Sequence, residues 1–391
     1  MTVHSEMHLR SVATLLLLVT TVSGSLKAQA RHDSLQFAGV AYLGDAAQLD
    51  VQFPVARAVE RLAERKGSPL LATLRAALLD AGVPLRIDLA QRAGLAVVFA
   101  FDDEYRSVEA FSGVGFKIVS SLSGQLLTMN FEEGFATVLT ALPATIEYVD
   151  ARSTRPDAGY DDEVAAALFA TINGAGKTGQ FAQMARTYAS LPAPSTAICR
   201  VRLADVTFDS VTVRLASQRF GNDTARLRSA LAREIARTWV TAARQPLLPI
   251  RSSQAEGLMQ ARFANGEIYR LRVPEPDYLL AINDVRSRRA VAGSNSAMRI
   301  DAVGAQLTAS VIEPHGGAIA ARGVFRIVIL DTIAQLRTET DTWAGVHSSV
   351  SALTAKLGAA ARRADKEWFD ANDATRTSYF TLPPWLKKCA P

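Results

Sequence analysis

The chain is predicted to fold as an α+β protein: two similar α/β units, each with a mixed or antiparallel sheet covered by helices, followed by a C-terminal helix. Apolar runs of strand length alternate along it with amphipathic runs of helix length. The two halves present these runs in the same order. With 391 residues, 49% of them hydrophobic and 21% charged, the chain can bury the core of two ordinary domains and lies outside the range of disordered sequences.

The first thirty residues read as a secretory signal peptide. His8 and Arg10 give a basic start, an apolar run follows from Val12 to Val22, and Ala28-Gln29-Ala30 forms a small-residue cleavage site. Met1 and Met7 are both acceptable starts, and the mature chain is expected to begin at Arg31. The apolar run falls short of the roughly 20 residues a membrane-spanning helix needs, and no comparable run occurs downstream. The mature chain is therefore expected to be periplasmic or secreted, without a transmembrane segment. Neither cysteine lies at the cleavage site, so lipid attachment is not expected there.

Leu35 to Leu43 alternates as a strand and closes at Gly44-Asp45. Helical periodicity covers 54–65. A second helix begins at Ser68-Pro69 and ends before Gly82, with Leu70, Leu71, Leu74, Leu78 and Leu79 as its apolar stripe. Leu95 to Phe101 is apolar throughout, as expected of a strand covered on both faces. Phe116 to Phe131 reads as a long strand with a bulge near Gly124. A helix is expected over 134–143, stopped by Pro143, then a strand over Thr145 to Val149. The polar stretch 150–160 reads as a linker, followed by helices over 161–172 and 179–190. Ile198 to Leu215 reads as strand and Thr224 to Ala243 as an amphipathic helix. Further strands are expected at Leu247 to Ile250, Tyr278 to Val285, Met298 to Val311 and Ala318 to Leu330, the last pair joined through Pro314-His315-Gly316-Gly317. A final helix is expected over Thr342 to Phe369. The implied domains are 31–150, a helical linker region 151–195, a second α+β domain 196–335, and a C-terminal helix and tail 336–391.

Leu70 to Asp80 precedes an apolar strand and then FKIVSSLSGQLLTMNFEEG, while Leu227 to Val240 precedes YLLAINDV and then MRIDAVGAQLTASVIEPHGG. Each half reads helix, buried strand, long strand, turn, with Gln125-Leu126 matching Gln306-Leu307. The pattern is that of an internal duplication.

Few residues point to chemistry. The net charge of +5 is mild, and the densest basic group, Arg286, Arg288 and Arg289, lacks the interleaved aromatics of a nucleic-acid surface, so no nucleic acid is expected. NGAGKTG at 173–179 has Thr171 where a P-loop needs glycine and follows a helix rather than a strand. His32, His315 and His347 are too few and scattered for a triad or a histidine-rich metal site, no G-x-S-x-G elbow accompanies His315-Gly316-Gly317, and no cofactor or metal is expected. Asp102, Asp103 and Glu104 follow a buried strand; they read either as an acid–base pair with separated pKa values or as a solvated turn. Asp161-Asp162-Glu163 suits a helix start. Phe101, Tyr105, Phe111 and Phe116, and separately Trp368, Phe369, Tyr379, Phe380 and Trp385, read as core or as a binding surface. Cys199 and Cys389 either pair across a long loop or stand as a buried strand thiol and a tail thiol.

The run LRSALAREIARTW, followed by PDYLLAINDV and IDAVGAQLTASVIEPHGGAIAARGVFRI, resembles envelope domains of the curli-secretion-channel and TolB amino-terminal type over Leu227 to Leu330. That resemblance implies a periplasmic, non-enzymatic assembly or secretion module that binds another envelope protein. The alternatives are a periplasmic hydrolase using Asp102, Asp103 or Glu104, and a small-ligand receptor with a cleft between the halves. Intact mass spectrometry of the exported protein should give an N-terminus at Arg31; a mature form still starting at Met1 or Met7 would overturn the cleavage.

Overall fold

Two runs of elements with the same order make up the computed structural model. The first is β1 (Leu35–Leu43), α1 (Leu49–Gln52), α2 (Pro54–Arg65), α3 (Leu70–Asp80), β2 (Leu85–Arg86), β3 (Gly94–Phe111), β4 (Gly115–Glu132), β5 (Phe135–Arg152), α4 (Tyr160–Asn173) and α5 (Gln180–Ala189). The second is β6 (Val201–Leu203), α6 (Ser210–Phe220), α7 (Thr224–Ala243), β7 (Leu258–Phe263), β8 (Ile268–Arg272), β9 (Tyr278–Ser294), β10 (Met298–Ile312), β11 (Ile319–Ala334) and α8 (Thr342–Arg363). Short helices α9 (Lys366–Asn372) and α10 (Leu382–Cys389) end the chain. The structure describes residues 35–86, 94–111, 115–132, 134–157, 159–174, 178–193, 199–250, 258–263, 266–334 and 341–389. The leader, with Ala28, Ala30, Met1 and Met7, lies outside these residues, as do 175–177 of the NGAGKTG segment.

A repeated strand arrangement is visible in the sheets. β1 runs parallel to β3, which continues into the antiparallel meander β3-β4-β5; β6 runs parallel to β9, which continues into β9-β10-β11. A pair of helices crosses over between the parallel strands each time, α2 and α3 in the first unit, α6 and α7 in the second. The second unit adds the hairpin β7–β8 between α7 and β9. This hairpin joins the first sheet instead, β8 pairing with β5 and β7 with β1, so that sheet closes on itself.

Closure explains why β3 is apolar on both faces. Val97, Phe99 and Phe101 pack against the helices, with Phe99 against Phe181 of α5 at 5.3 Å between ring centroids. Ala96, Val98 and Ala100 point the other way and join Ala41, Leu127, Met129, Ala136, Val138 and Leu271 in a second cluster drawn from the closed strands and enclosed by them. The small side chains suit the narrow interior of a ring of few strands. Tyr269 packs edge to face on Phe131 and Phe263, which tilt against each other, as the large members of that region.

Three expectations need correction. Residues 134–143 are strand, not helix: β5 pairs with β4 along its whole length. Pro143 is tolerated because the N–H of Ala141, two residues earlier, points off the sheet to Leu247 O at 2.7 Å, so the missing N–H of Pro143 would also have faced away from β4. Among the described residues of 198–215 only Val201–Leu203 is strand; Ser210–Phe220 is helical despite its Val and Thr, because the Asp209 carboxylate caps it by accepting the N–H of Thr212 at 2.8 Å. Leu247 makes single bridges to Ala141 and Val201 rather than part of a strand. The strands β7 and β8, absent from the sequence reading, are what close the first sheet.

Other expectations stand. α4 and α5 form where helices were expected and contribute Tyr160, Leu168 and Phe181 to the core. The bulge near Gly124 is present, although its extra residue lies opposite, on β3. A Cβ on Gly124 would sit 2.6 Å from the Phe99 ring, so the close approach there requires glycine. The final helix breaks at Ala364, which has a φ of 51°, and resumes as α9. The C-terminus is no loose tail: Cys389 is buried and disulfide-bonded to Cys199 across 190 residues of sequence. By chain entropy a loop of that length is worth at most about 5 kcal/mol. Replacing both cysteines with serine should therefore shift the urea midpoint strongly without changing the folded far-UV spectrum; an unchanged midpoint would show that the bond carries no stability.

Candidate functional site

The bulge determines where the acidic triplet goes. Pairing of β3 with β4 steps from Phe101–Gly124 to Asp103–Ser123, leaving Asp102 as the extra residue. An extra residue interrupts the strand's alternation, so the neighbours Asp102 and Asp103 reach the same cation. That cation is Arg233 of α7: its Nη1 donates to Asp103 at 2.6 Å and its Nη2 lies 3.3 Å from Asp102. The second oxygen of Asp102 accepts from Gln125 Nε2 at 2.7 Å, and Gln125 Oε1 accepts the N–H of Ile250 at 3.3 Å. Burial pushes the Asp102 carboxyl above the usual carboxylate range, against the pull of Arg233 and Gln125. Arg233 stays charged because its two aspartates outweigh its own burial.

Glu104 points to the other face of the sheet. It accepts the N–H groups of Val55 and Ala56 at 2.9 to 3.0 Å at the start of α2. Helix α2 begins with Pro54 and its N-cap, Phe53, has no side-chain acceptor, so Glu104 supplies both the capping oxygens and the negative charge favoured at that end. The triplet is thus divided between two sites. Asp161, Asp162 and Glu163 occupy the first turn of α4, where Asp161 pairs with Arg106 at 2.6 Å and Glu163 pairs with Arg152.

Beside Asp103 opens a cleft of about 530 Å³. The extended parts of β3 to β5 form one wall with Tyr105, Ser123, Thr145 and Glu147, and helices α5 to α8 form the others with Gln183, Arg219, Arg237, Trp343 and His347. Its charges are paired, Arg219 with Glu147 at 2.6 Å and Glu234 with His347 at 3.3 Å across the walls, and Glu234 with Arg237 at 2.6 Å along α7. Phe220 stacks on Tyr105 at 5.6 Å and meets Trp343 edge-on at 4.8 Å. Such a cleft can hold a small polar molecule with an aromatic or apolar part. Of its carboxylates, Glu234 is held below the usual range by hydrogen bonds from His347 and Arg237 despite its burial. Among the described residues, no group of three or more His, Cys, Asp or Glu side chains is placed to hold a metal ion.

A second feature lies on the open face of the β9–β11 sheet. Val303 and Leu307 of β10 are buried, and Val303 meets α8 at Gly345, whereas the alternate residues face outward. Among these, Met298 is 48% exposed, Ile300 38%, Val328 64% and Leu330 69%. The register places Ile300 opposite Thr332 and Gly304 opposite Val328, so the four belong to one apolar patch, bordered by Arg288, Arg322 and Arg326 on the same face. Neither the patch nor the cleft was identified from sequence. The run FRIVIL, apolar without interruption after Arg326, was its one signal. The basic group Arg286, Arg288 and Arg289 is paired with Asp284, Asp209 and Asp301. The aromatic sets belong to the core: Phe325 packs with Trp368 and Phe369, and Trp385 with Tyr278. Phe380 is exposed, and the side chain of Phe111 lies outside the described residues.

No family model matches the chain and no curated protein matches it. Among solved structures, a Xanthomonas campestris protein of DUF330 is 14% identical with a TM-score of 0.19, over 41% of this chain and 79% of that one. A neuraminyllactose-binding hemagglutinin homolog from Helicobacter pylori is 14% identical with a TM-score of 0.21, over 45% of this chain and 88% of that one. Neither is a curli-secretion-channel or TolB domain, and at these scores no function is taken from either. No helix among the described residues is long and apolar enough to cross a membrane.

Replacing Arg233 with Met leaves Asp102 buried without its cation and should cost roughly 3 to 5 kcal/mol in urea unfolding, part of which returns when Asp102→Asn is added. A loss below 1 kcal/mol would mean the pair is not structural. Glu234 gives a pH signature. Burial raises its carboxyl, but hydrogen bonds from His347 and Arg237 prevail and hold it at about 2. A carboxyl depressed on folding stabilises the protein above its unfolded value, 4.5, and loses that contribution as pH falls towards the folded one. Glu234→Gln should therefore cost on the order of 3 kcal/mol at neutral pH, with its pH-dependent part fading between pH 4.5 and 2; a difference constant with pH would refute the assignment.

Proposed function

We propose that the mature chain is an exported, non-enzymatic binding module of the cell envelope, which docks another envelope component on the outer face of β10 and β11. The apolar patch of Met298, Ile300, Val328 and Leu330 carries this reading. Exposed large apolar side chains are normal when scattered, but grouped on one flat sheet face and rimmed by arginines they have the composition of an interaction surface. The closed first sheet and the helices make a rigid support for it. Asp102, Asp103 and Glu104 serve as ion-pair and capping groups on this reading, not as acid and base.

The cleft beside Asp103 supports a second reading, a small-ligand receptor, because its volume falls within the range of small-molecule sites. The hydrolase reading would need one of the paired carboxylates to leave its cation.

Met298→Gln combined with Ile300→Gln keeps the strand but removes half the patch. Mature protein used as bait in an envelope extract should capture a reproducible component, and the double variant should capture it at least tenfold less. Equal capture by both, or none by either, would sink the docking reading, and a small molecule retained through Arg219→Met-sensitive binding would favour the receptor.

A further inference from the structure

The edge of the second sheet bears on the identity of one partner. β11 is its last strand, in the order β11-β10-β9-β6. Val324 O accepts the N–H of Ala374 at 2.8 Å from outside the sheet, and the register with β10 runs unbroken from Arg322 to Ala334. Backbone groups alternate in direction along a strand, so those of the even-numbered residues, Arg326, Val328, Leu330 and Thr332, all point off the edge. The bridge between Phe325 and Asp373 covers the edge up to that point, and among the described residues no strand or bridge covers it from Val328 to Thr332. Natural edge strands are usually guarded by charged residues, proline or a bulge. This stretch has no proline or bulge and one charged residue, Asp331, whose side chain is on the face opposite the patch, and Val328 and Leu330 are the most exposed apolar side chains of the patch.

We propose that this edge pairs with the same edge of a second copy, antiparallel about a two-fold axis through Ile329. The proposal deepens the docking reading by naming one occupant of that region. The free stretch is self-complementary in this register. Val328 of one copy stands opposite Leu330 of the other and Leu330 opposite Val328, between the Phe325–Asp373 bridges that cover the edge on either side. Both pairs involve residues whose N–H and C=O point outward, so each exchanges two backbone hydrogen bonds, and outward-facing side chains meet on one face of the continuous sheet. The Phe325–Asp373 bridge stops the pairing before Arg326, which keeps the interface short. It belongs to the small, weak class, with dissociation on the order of 10 µM. Val328 and Leu330 of both copies then form one strip continuous with Met298 and Ile300, which remain open to the envelope partner.

A cross-link tests the register directly. Ile329 would face its own copy at a non-hydrogen-bonded position, where Cα atoms lie about 4.5 Å apart, within disulfide reach. Both native cysteines are already bonded. Mild oxidation of Ile329→Cys should give a disulfide dimer, and Asp331→Cys should not. Sedimentation of the unmodified mature chain should show dimer growing over the micromolar range. Leu330→Pro, which removes an outward N–H and leaves the bonds to β10 intact, should abolish it with an unchanged melting curve. A monomer at every concentration, no Ile329→Cys dimer, or cross-linking through Leu330→Cys alone would overturn the proposal. Envelope capture by an unmodified mature chain that sediments as monomer at every concentration would leave the docking reading standing while the dimer fails, and a dimer that captures nothing would do the reverse.

Discussion

The position of α7 depends on one buried cation. Arg233 lies against the β3 bulge with buried Asp102 and half-exposed Asp103, and taking the Arg233–Asp102 pair out of water is tolerable only while every partner stays in place. The requirement is geometric before it is energetic. Asp102 and Asp103 can share a guanidinium only because the bulge interrupts strand alternation, and the bulge sits opposite Gly124, where a side chain would strike Phe99. Once α7 is placed, α6 and α8 pack beside it, and α8 carries β10 and β11. The cleft beside Asp103 and the orientation of the second sheet follow from the same contact.

The two units are repeats in topology but not in independence. Each has a strand, a helical crossover, a parallel neighbour and a long meander. The hairpin β7–β8 leaves the second unit to close the first sheet, and the disulfide returns the last helix to the start of β6. The long strands of the first sheet have thereby lost their free edges, with the two-residue β2 left outside the ring, while the second sheet ends at β11 on one side and at the three-residue β6 on the other. An open edge beside an apolar face is where interaction is expected in such a molecule, since closure has removed the alternative elsewhere.

How much could be read beforehand varied with the range of the interactions involved. Helices α2 to α5, α7 and α8 were legible because their periodicity and stop signals are local, and the continuous apolar run Leu95 to Phe101 correctly announced a strand covered twice. β5 was misread because its apolar run to Pro143 looks helical until β4 lies beside it. α6 was misread because its Val and Thr residues favour strands unless Asp209 caps the turn. β7 and β8 gave little signal, since short strands that complete another unit's sheet owe their form to partners more than a hundred residues away in sequence. The acidic triplet was noticed, but its division between Arg233 and the start of α2 depends on a one-residue bulge.

From the sequence alone came the alternation of elements, the shared order of the two halves, the export signal as an expectation, and the absence of any local motif that demands catalysis. These are statements about neighbours along the chain, where periodicity and turn chemistry act. Tertiary structure alone decided that the first sheet closes, that Cys199 meets Cys389, that Asp102 and Asp103 face one arginine while Glu104 caps a helix, and that Val328 and Leu330 stay uncovered. Each of these depends on which distant strand or helix arrives alongside, and a strand's own residues encode its two faces but not which neighbour will cover them.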